Sequence, residues 1–164
     1  AGNSLSKDIE SYQEAFDLLF KSIVYTTSLI VPKMLKNKWG RIINVTSVSV
    51  KEPLNYLVLS NSIRSAVVAW AKSLSVDVGK DGVTVNSILT GYFDTERIKD
   101  LNKEKSKSLN ISEDEVLEKM KSLVPINRLG KTEEYGYLVS FLSSDKAAYI
   151  NLSLIHIGRC RRRG

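Results

Sequence analysis

At 164 residues, with 43% apolar and 26% charged residues and a formal charge of +6, the chain has the size and composition of a single globular domain rather than of a low-complexity segment. Its one histidine and one cysteine, His156 and Cys160, both lie in the last nine residues. The body therefore offers no histidine-based triad, no thiol nucleophile, no disulfide and no Cys/His metal site, and no metal is expected.

Residues from about 8 to 37 are expected to form one long helix with an apolar stripe of Tyr12, Phe16, Leu19 and Ile23, bent or interrupted at Pro32. No uninterrupted apolar run approaches the roughly 20 residues that span a bilayer. No signal peptide is visible, so a cytoplasmic protein without a membrane partner is the default expectation. Arg41 to Thr46, with Ile42, Ile43 and Val45, reads as a short strand, which places Ser47 at its carboxyl end, where open α/β sheets bind ligands. Pro53 and Asn55 mark a loop. The next helix, about 58 to 78, carries Ser60 and Arg64 one turn apart on one face, with Val67 and Ala71 continuing the stripe toward the Ser47 strand end.

Val83 to Leu89 is a second strand, apolar almost throughout and so buried on both faces. Residues 96 to 122 are rich in Lys, Glu, Ser and Leu, with Ser112 as a helix N-cap and Glu115 at the capping-box position. A last helix spans about 132 to 143, with Thr132 as its N-cap. Helices alternating with strands predict a parallel α/β sheet.

Several segments resemble, in one order, the C-terminal half of a short-chain dehydrogenase/reductase. They are Gly40-Arg-Ile-Ile-Asn-Val-Thr-Ser47, Ser60 to Arg64, Asp81-Gly-Val-Thr-Val-Asn86, Gly91-Tyr-Phe-Asp-Thr95 and Pro125-Ile-Asn-Arg-Leu-Gly130. An ordered set is far more specific than any one motif. The resemblance implies a partial Rossmann-type, doubly wound parallel sheet over residues 1–150, lacking its first strands and its last strand, with a mobile lid over residues about 94–124. It also implies NAD or NADP as cofactor, a small carbonyl or alcohol substrate, and a homodimer or homotetramer joined through helices 8–37 and 58–78. Val24, Leu29, Ile63 and Trp70 fit such an interface and equally fit packing on the sheet.

The same resemblance places the catalytic tetrad. Ser60 follows Ser47 by 13 positions and Arg64 follows Ser60 by 4, the family spacing of Ser, Tyr and Lys, so Ser60 stands at the Tyr position and Arg64 at the Lys position. Leu19 falls at the Asn position, where a packing leucine is the plainer reading. Only Ser47 keeps the family side chain. The family Tyr is a general acid/base with a phenol pKa near 10 lowered by its surroundings. A serine hydroxyl is a much weaker acid, and a guanidinium stays protonated, so Arg64 can hold ribose hydroxyls but cannot relay a proton. Tyr56 is either a substitute phenol or loop packing.

Gly91 would let backbone approach the nicotinamide. Thr95 matches a family Thr that contacts the carboxamide, while Asp94 or Thr95 could equally just cap the following helix. Thr90 stands where the family has Pro.

The ends depart from the family pattern. Ala1-Gly2 is read as a remnant of the segment before the first helix, and the Gly-rich turn that receives a pyrophosphate does not occur in this sequence. Residues 151–164 form a basic stretch outside the family pattern; from about Leu152 it resembles translated sequencing-adapter read-through, so the chain is expected to be a fragment truncated at both ends. Arg159, Arg161, Arg162 and Arg163 supply four of the positive charges, and without them the net charge of +6 falls to +2. An Arg cluster without aromatics or a recognition motif gives no nucleic-acid role. Three functions remain open: an NAD(P)-dependent oxidoreductase with an unusual proton donor, a non-catalytic dinucleotide-binding or scaffolding relative, and, least favoured, a nucleic-acid binder through the Arg tail, which deletion of residues 152–164 would discriminate.

Overall fold

A computed structural model describes residues 4–5, 8–54 and 57–158; Ala1, Gly2, Asn55, Tyr56, Cys160 and the four tail arginines lie outside them. Among the described residues, three strands, β1 (Gly40–Ser47), β2 (Val83–Thr90) and β3 (Leu154–Ile157), form one parallel sheet in that order. The register sets Gly40 opposite Val83 and Ser47 opposite Thr90, so the carboxyl ends of β1 and β2 finish together.

Side chains alternate across a strand, and the two faces of β2 feed two separate cores. Val83 and Val85 pack with Ala71 and Val78 of helix α3 (Val58–Gly79) and with Val31 and Met34 of helix α2 (Ser22–Asn37). Ile88, on the opposite face, packs with Leu142, Leu138 and Val139 of helix α6 (Thr132–Ser143) and with Ala147. Helices thus cover both faces, as a doubly wound sheet requires, and β2 is buried along its whole length except Thr90. Both long strands and α3 extend one residue beyond the expected bounds at one or both ends.

The N-terminal helix departs from expectation in where it is interrupted. Helix α1 (Ile9–Phe16), capped by the Asp8 carboxylate on Ser11 N at 3.0 Å, passes through a π-helical turn at Asp17–Lys21 into α2. At that turn the Ser22 hydroxyl donates to the Leu18 carbonyl at 2.5 Å, a side-chain bond of the kind that disturbs a helical ladder. Pro32 sits inside α2 without ending it. Proline forgoes one helical bond, and Val31, Met34 and Leu35 anchor the helix to the core on either side of it. The helix stops at Lys38, left-handed at φ 50°, which returns its N–H to the Leu35 carbonyl.

Ile9–Asn37 is one helical run of 29 residues, long and apolar enough by length and composition to cross a membrane. The sequence expectation counted uninterrupted apolar residues, whereas a helix averages over Asp17, Lys21 and Lys33. One side of the run touches protein, with Phe20 6.4 Å, edge-on, from Trp70 of α3 and Val31, Met34 and Leu35 against the core, but none of its apolar window is fully buried.

The last strand is a correction. Leu154–Ile157, expected to be foreign to the fold, pairs with Ser87–Thr90 of β2. Leu154, Ile155 and Ile157 suit a half-buried strand, and Ile155 and Ile157 join the core cluster around Ile88. Buried Asn86 fixes the approach: its carboxamide N–H donates to the Ile150 carbonyl at 2.7 Å and its oxygen accepts from Ser153 N at 3.1 Å. Asn151 adds a bond from Val85 N at 2.8 Å. Buried polar groups left without partners cost about 1–3 kcal/mol. Asn86→Ala is therefore expected to lower amide-exchange protection of residues 154–157 by about tenfold or more, with the β1 amides much less affected. Uniform loss of protection across the sheet would refute this local role.

Candidate active site

The site is built where β1 and β2 end. Ser47 is half-buried at the last position of β1, and its hydroxyl accepts from Ser49 N at 3.1 Å. That bond uses an oxygen lone pair and leaves the hydroxyl proton free to donate. Across the register, Thr90 ends β2 and Gly91 follows it. Ser47, Thr90 and Gly91 together line a cavity of about 580 Å³, within the range of small-molecule sites. Val48, Leu54 and Leu57 line one side, and the other mixes Ile98, Leu101 and Met120 with the polar and charged Arg97, Asn102, Glu104, Lys105 and Ser108.

The second wall belongs to the charged region expected to form a lid. It folds as helix α4 (Glu96–Leu109) and helix α5 (Glu113–Lys121). Ser112 caps α5 with the reciprocal Glu115 bond that the sequence predicts, at 3.1 Å in each direction. Thr95 is the N-cap of α4, accepting from Ile98 N at a long 3.4 Å, and it is not among the cavity-lining residues. Of the two readings of Thr95, the cap is the one this geometry displays. The N-cap of α6 is Lys131, one residue before the expected Thr132, because the Glu134 carboxylate reaches back to Lys131 N at 2.7 Å. Arg128 grips the same carboxylate with two bonds and, with the Lys131 bond, holds Glu134 down to about 2.

Ser60 and Arg64 share a face of α3, as expected, and touch: Arg64 Nε donates to Ser60 Oγ at 3.2 Å. Arg64 Nη1 donates to the Val45 carbonyl, two residues before Ser47, at 2.9 Å. Burial pushes the Arg64 guanidinium below its ordinary value, opposed by its interaction with Tyr135. Leu19 is half-buried in the π-helical turn and does not line the cavity. The Gly91 N–H is spent on the Ile157 carbonyl at 2.8 Å, and Gly91 lines the cavity.

Sequence reasoning missed two groups. Tyr135 of α6 sets its hydroxyl 3.1 Å from Thr90 Oγ1, with its ring edge-on to Phe93 at 5.3 Å. Burial raises its phenol above the ordinary value, against the lowering effects of Thr90 and Arg64. Nothing in its local sequence marks it; only the Thr at the family Pro position hints at a polar partner. The second group, Asn102, is buried in α4 inside a charged segment where a polar residue attracts no notice.

A family model described as enoyl-(acyl carrier protein) reductase matches residues 1–158. The chain belongs to the short-chain dehydrogenase/reductase family. Among curated members of that family, nodulation protein G of Azospirillum brasilense is 32% identical over 136 residues, covering 83% of this chain and 51% of that protein. The 3-oxoacyl-(acyl-carrier-protein) reductase of Buchnera aphidicola is 29% identical, covering 90% and 56%. L-sorbose reductase from Gluconobacter frateurii, solved with NADPH and L-sorbose, superposes with a TM-score of 0.86 at 26% identity, over 96% of this chain and 60% of that one. The chain spans about half the length of the curated short-chain dehydrogenase/reductase relatives it matches. The matched residues include Leu154–Ile157, in keeping with their place in the sheet.

Proposed function

We propose that the protein carrying this chain is an NAD(P)-dependent oxidoreductase that interconverts a carbonyl and an alcohol on a small molecule. The observation that carries the reading is the convergence of Ser47, Thr90 and Gly91 at one end of a cavity large enough for such a substrate. Two residues suit the nicotinamide-ribose side of the cofactor: Arg64, held beside the end of β1 by its bonds to Ser60 and the Val45 carbonyl, would turn its remaining Nη2 to a ribose hydroxyl, and Gly91, which lines the cavity, adds no side chain to the approach. When bound, the reduced nicotinamide supplies the hydride, which adds to the carbonyl carbon as the oxygen takes up a proton to give the alcohol. Ser47 donates a hydrogen bond to the carbonyl oxygen and stabilises the negative charge that gathers there. The proton comes through Ser60, whose hydroxyl is oriented by Arg64. This is a weak donor, and slow turnover follows from it.

A second reading is favoured by Arg64 itself, whose Nε and Nη1 are committed to the Ser60 hydroxyl and the Val45 carbonyl, with no phenol at the Ser60 position. On that reading the protein binds a dinucleotide without turning over. We further propose a cytoplasmic homodimer or homotetramer. Leu29, 64% exposed on α2, together with Leu18, Tyr25 and Val76, supports an interface there, whereas Trp70 packs within the chain.

The test is NADH and NADPH binding by the full-length gene product, with hydride transfer followed over a panel of ketones and aldehydes. Binding with transfer is the expected result. Binding without transfer selects the second reading, and no dinucleotide binding overturns both.

A further inference from the structure

Thr90 differs from the rest of β2: it is the one residue of that strand that is not buried, and it lines the cavity. The register sets it opposite Ser47, so the two side chains leave the sheet on the same face. That face is the one covered by α6, because Tyr135, which bonds Thr90, also packs against the core around Ile88, two residues earlier in the strand. Neighbouring strands lie about 4.8 Å apart. At that separation two hydroxyls can both reach a single oxygen placed between them at the strand ends.

Among the described residues, the one hydrogen bond of Thr90 Oγ1 is with the Tyr135 hydroxyl at 3.1 Å. Of two hydroxyls in contact, the phenol is the more acidic and the better donor. Burial favours its protonated form, since it raises the phenol above the ordinary value. With Tyr135 donating to Thr90 Oγ1, the Thr90 proton is left to turn into the cavity. Ser47 is in the same condition, having accepted from Ser49 N and kept its own proton. The proline that the family pattern places at position 90 has no hydroxyl, so this donor is a property of the present chain.

We propose that Thr90 is a second catalytic donor, whose hydroxyl hydrogen-bonds the substrate carbonyl oxygen beside Ser47, and that Tyr135 is the positioning residue that orients it. The inference rests on the oxidoreductase reading for the reaction, whereas the contact between Thr90 and a bound carbonyl does not. Negative charge gathers on the oxygen as hydride reaches the carbon, and fixed donors aimed at that oxygen stabilise the transition state more than the ground state. Thr90 transfers no proton; that still arrives through Ser60. A weak acid at position 60 leaves more charge on the oxygen, so the second hydrogen bond counts for more here than beside a phenol.

The test uses the full-length gene product and acetophenone isotopically labelled at its carbonyl. The carbonyl stretching band of the bound ketone is recorded by difference infrared spectroscopy with oxidised dinucleotide present, where no hydride can move, and kcat and KM are measured with reduced dinucleotide. Thr90→Val, near in shape and suited to a strand, is expected to move the band to higher frequency and to lower kcat by about tenfold or more with KM little changed. Thr90→Ser keeps the hydroxyl and is expected to retain both properties. Tyr135→Phe is expected to move each in the same direction by less, and Thr90→Val with Tyr135→Phe to match Thr90→Val alone, as for a residue that acts through another. An unchanged band in Thr90→Val, with its fold intact by circular dichroism, overturns the proposal whatever the rate. A band that shifts as expected while wild type transfers no hydride ends the oxidoreductase reading and leaves the Thr90 contact standing. Hydride transfer that Thr90→Val does not slow leaves that reading standing and removes Thr90 from it, and a wild type that binds no ketone overturns both.

Discussion

Ser60→Tyr combined with Arg64→Lys is expected to raise the rate of carbonyl reduction by the full-length protein by ~10²–10⁴-fold, the range contributed by a positioned general acid. The argument is local. Ser60 and Arg64 lie one helical turn apart on α3 and already touch at 3.2 Å, so a phenol and an ammonium placed on the same two positions would sit within mutual reach. The ammonium lowers the phenol pKa and the phenol replaces a hydroxyl several units less acidic. Arg64 also holds the Val45 carbonyl at 2.9 Å, next to the strand end that carries Ser47, so the helix is registered against β1 before any substitution is made. Single-turnover hydride transfer, measured for wild type, each single variant and the double, separates the contributions. A double variant no faster than wild type, with dinucleotide binding intact, would mean that these positions do not face the reacting carbonyl. A fall in rate would mean that wild type uses a proton path of its own through the Ser60–Arg64 pair.

Ser47→Ala is expected to reduce kcat by about 10²–10³-fold with little change in the dissociation constant of the ketone, because a donor to developing negative charge acts mainly in the transition state. Ser47 is suited to this by its single observed bond, in which it accepts from Ser49 N and keeps its own proton available. The same bond means that the substitution also removes a cap from the short helical turn Val48–Val50, at a cost of about 1 kcal/mol. Thermal unfolding of the variant therefore belongs beside the kinetics: a stable variant with a low kcat supports direct action on the carbonyl. A variant that loses ketone binding and kcat together, with a large drop in melting temperature, would reassign Ser47 to holding the Val48–Val50 turn.

Much of the scaffold was legible because it depends on short-range patterns. The apolar run Val83 to Leu89 can be satisfied only by cover on both faces, and the two cores around Val85 and Ile88 supply it. Ser112 and Glu115 cap a helix through bonds three residues apart, so four letters suffice. The spacing of Ser47, Ser60 and Arg64 likewise announced a strand end facing a helix, and Arg64 bridges the two. The interruption of the first helix was misplaced, since a proline is visible in sequence while the Ser22 bond to the Leu18 carbonyl is not. The strand Leu154–Ile157 was missed because it departs from the family pattern, and its membership of the sheet depends on Asn86, far away in the chain.

The sequence by itself determined an α/β chain of the short-chain dehydrogenase/reductase family, with serine and arginine at the positions of the family tyrosine and lysine, because residue identity and spacing carry that information directly. Only the tertiary structure decided that Thr90 meets Tyr135, that Asn102 is buried in α4, and that the last strand closes against β2. Each of these is a meeting between residues distant in the chain, and the free energy that selects such a meeting, burial of apolar surface against satisfaction of buried polar groups, is set by the packed interior.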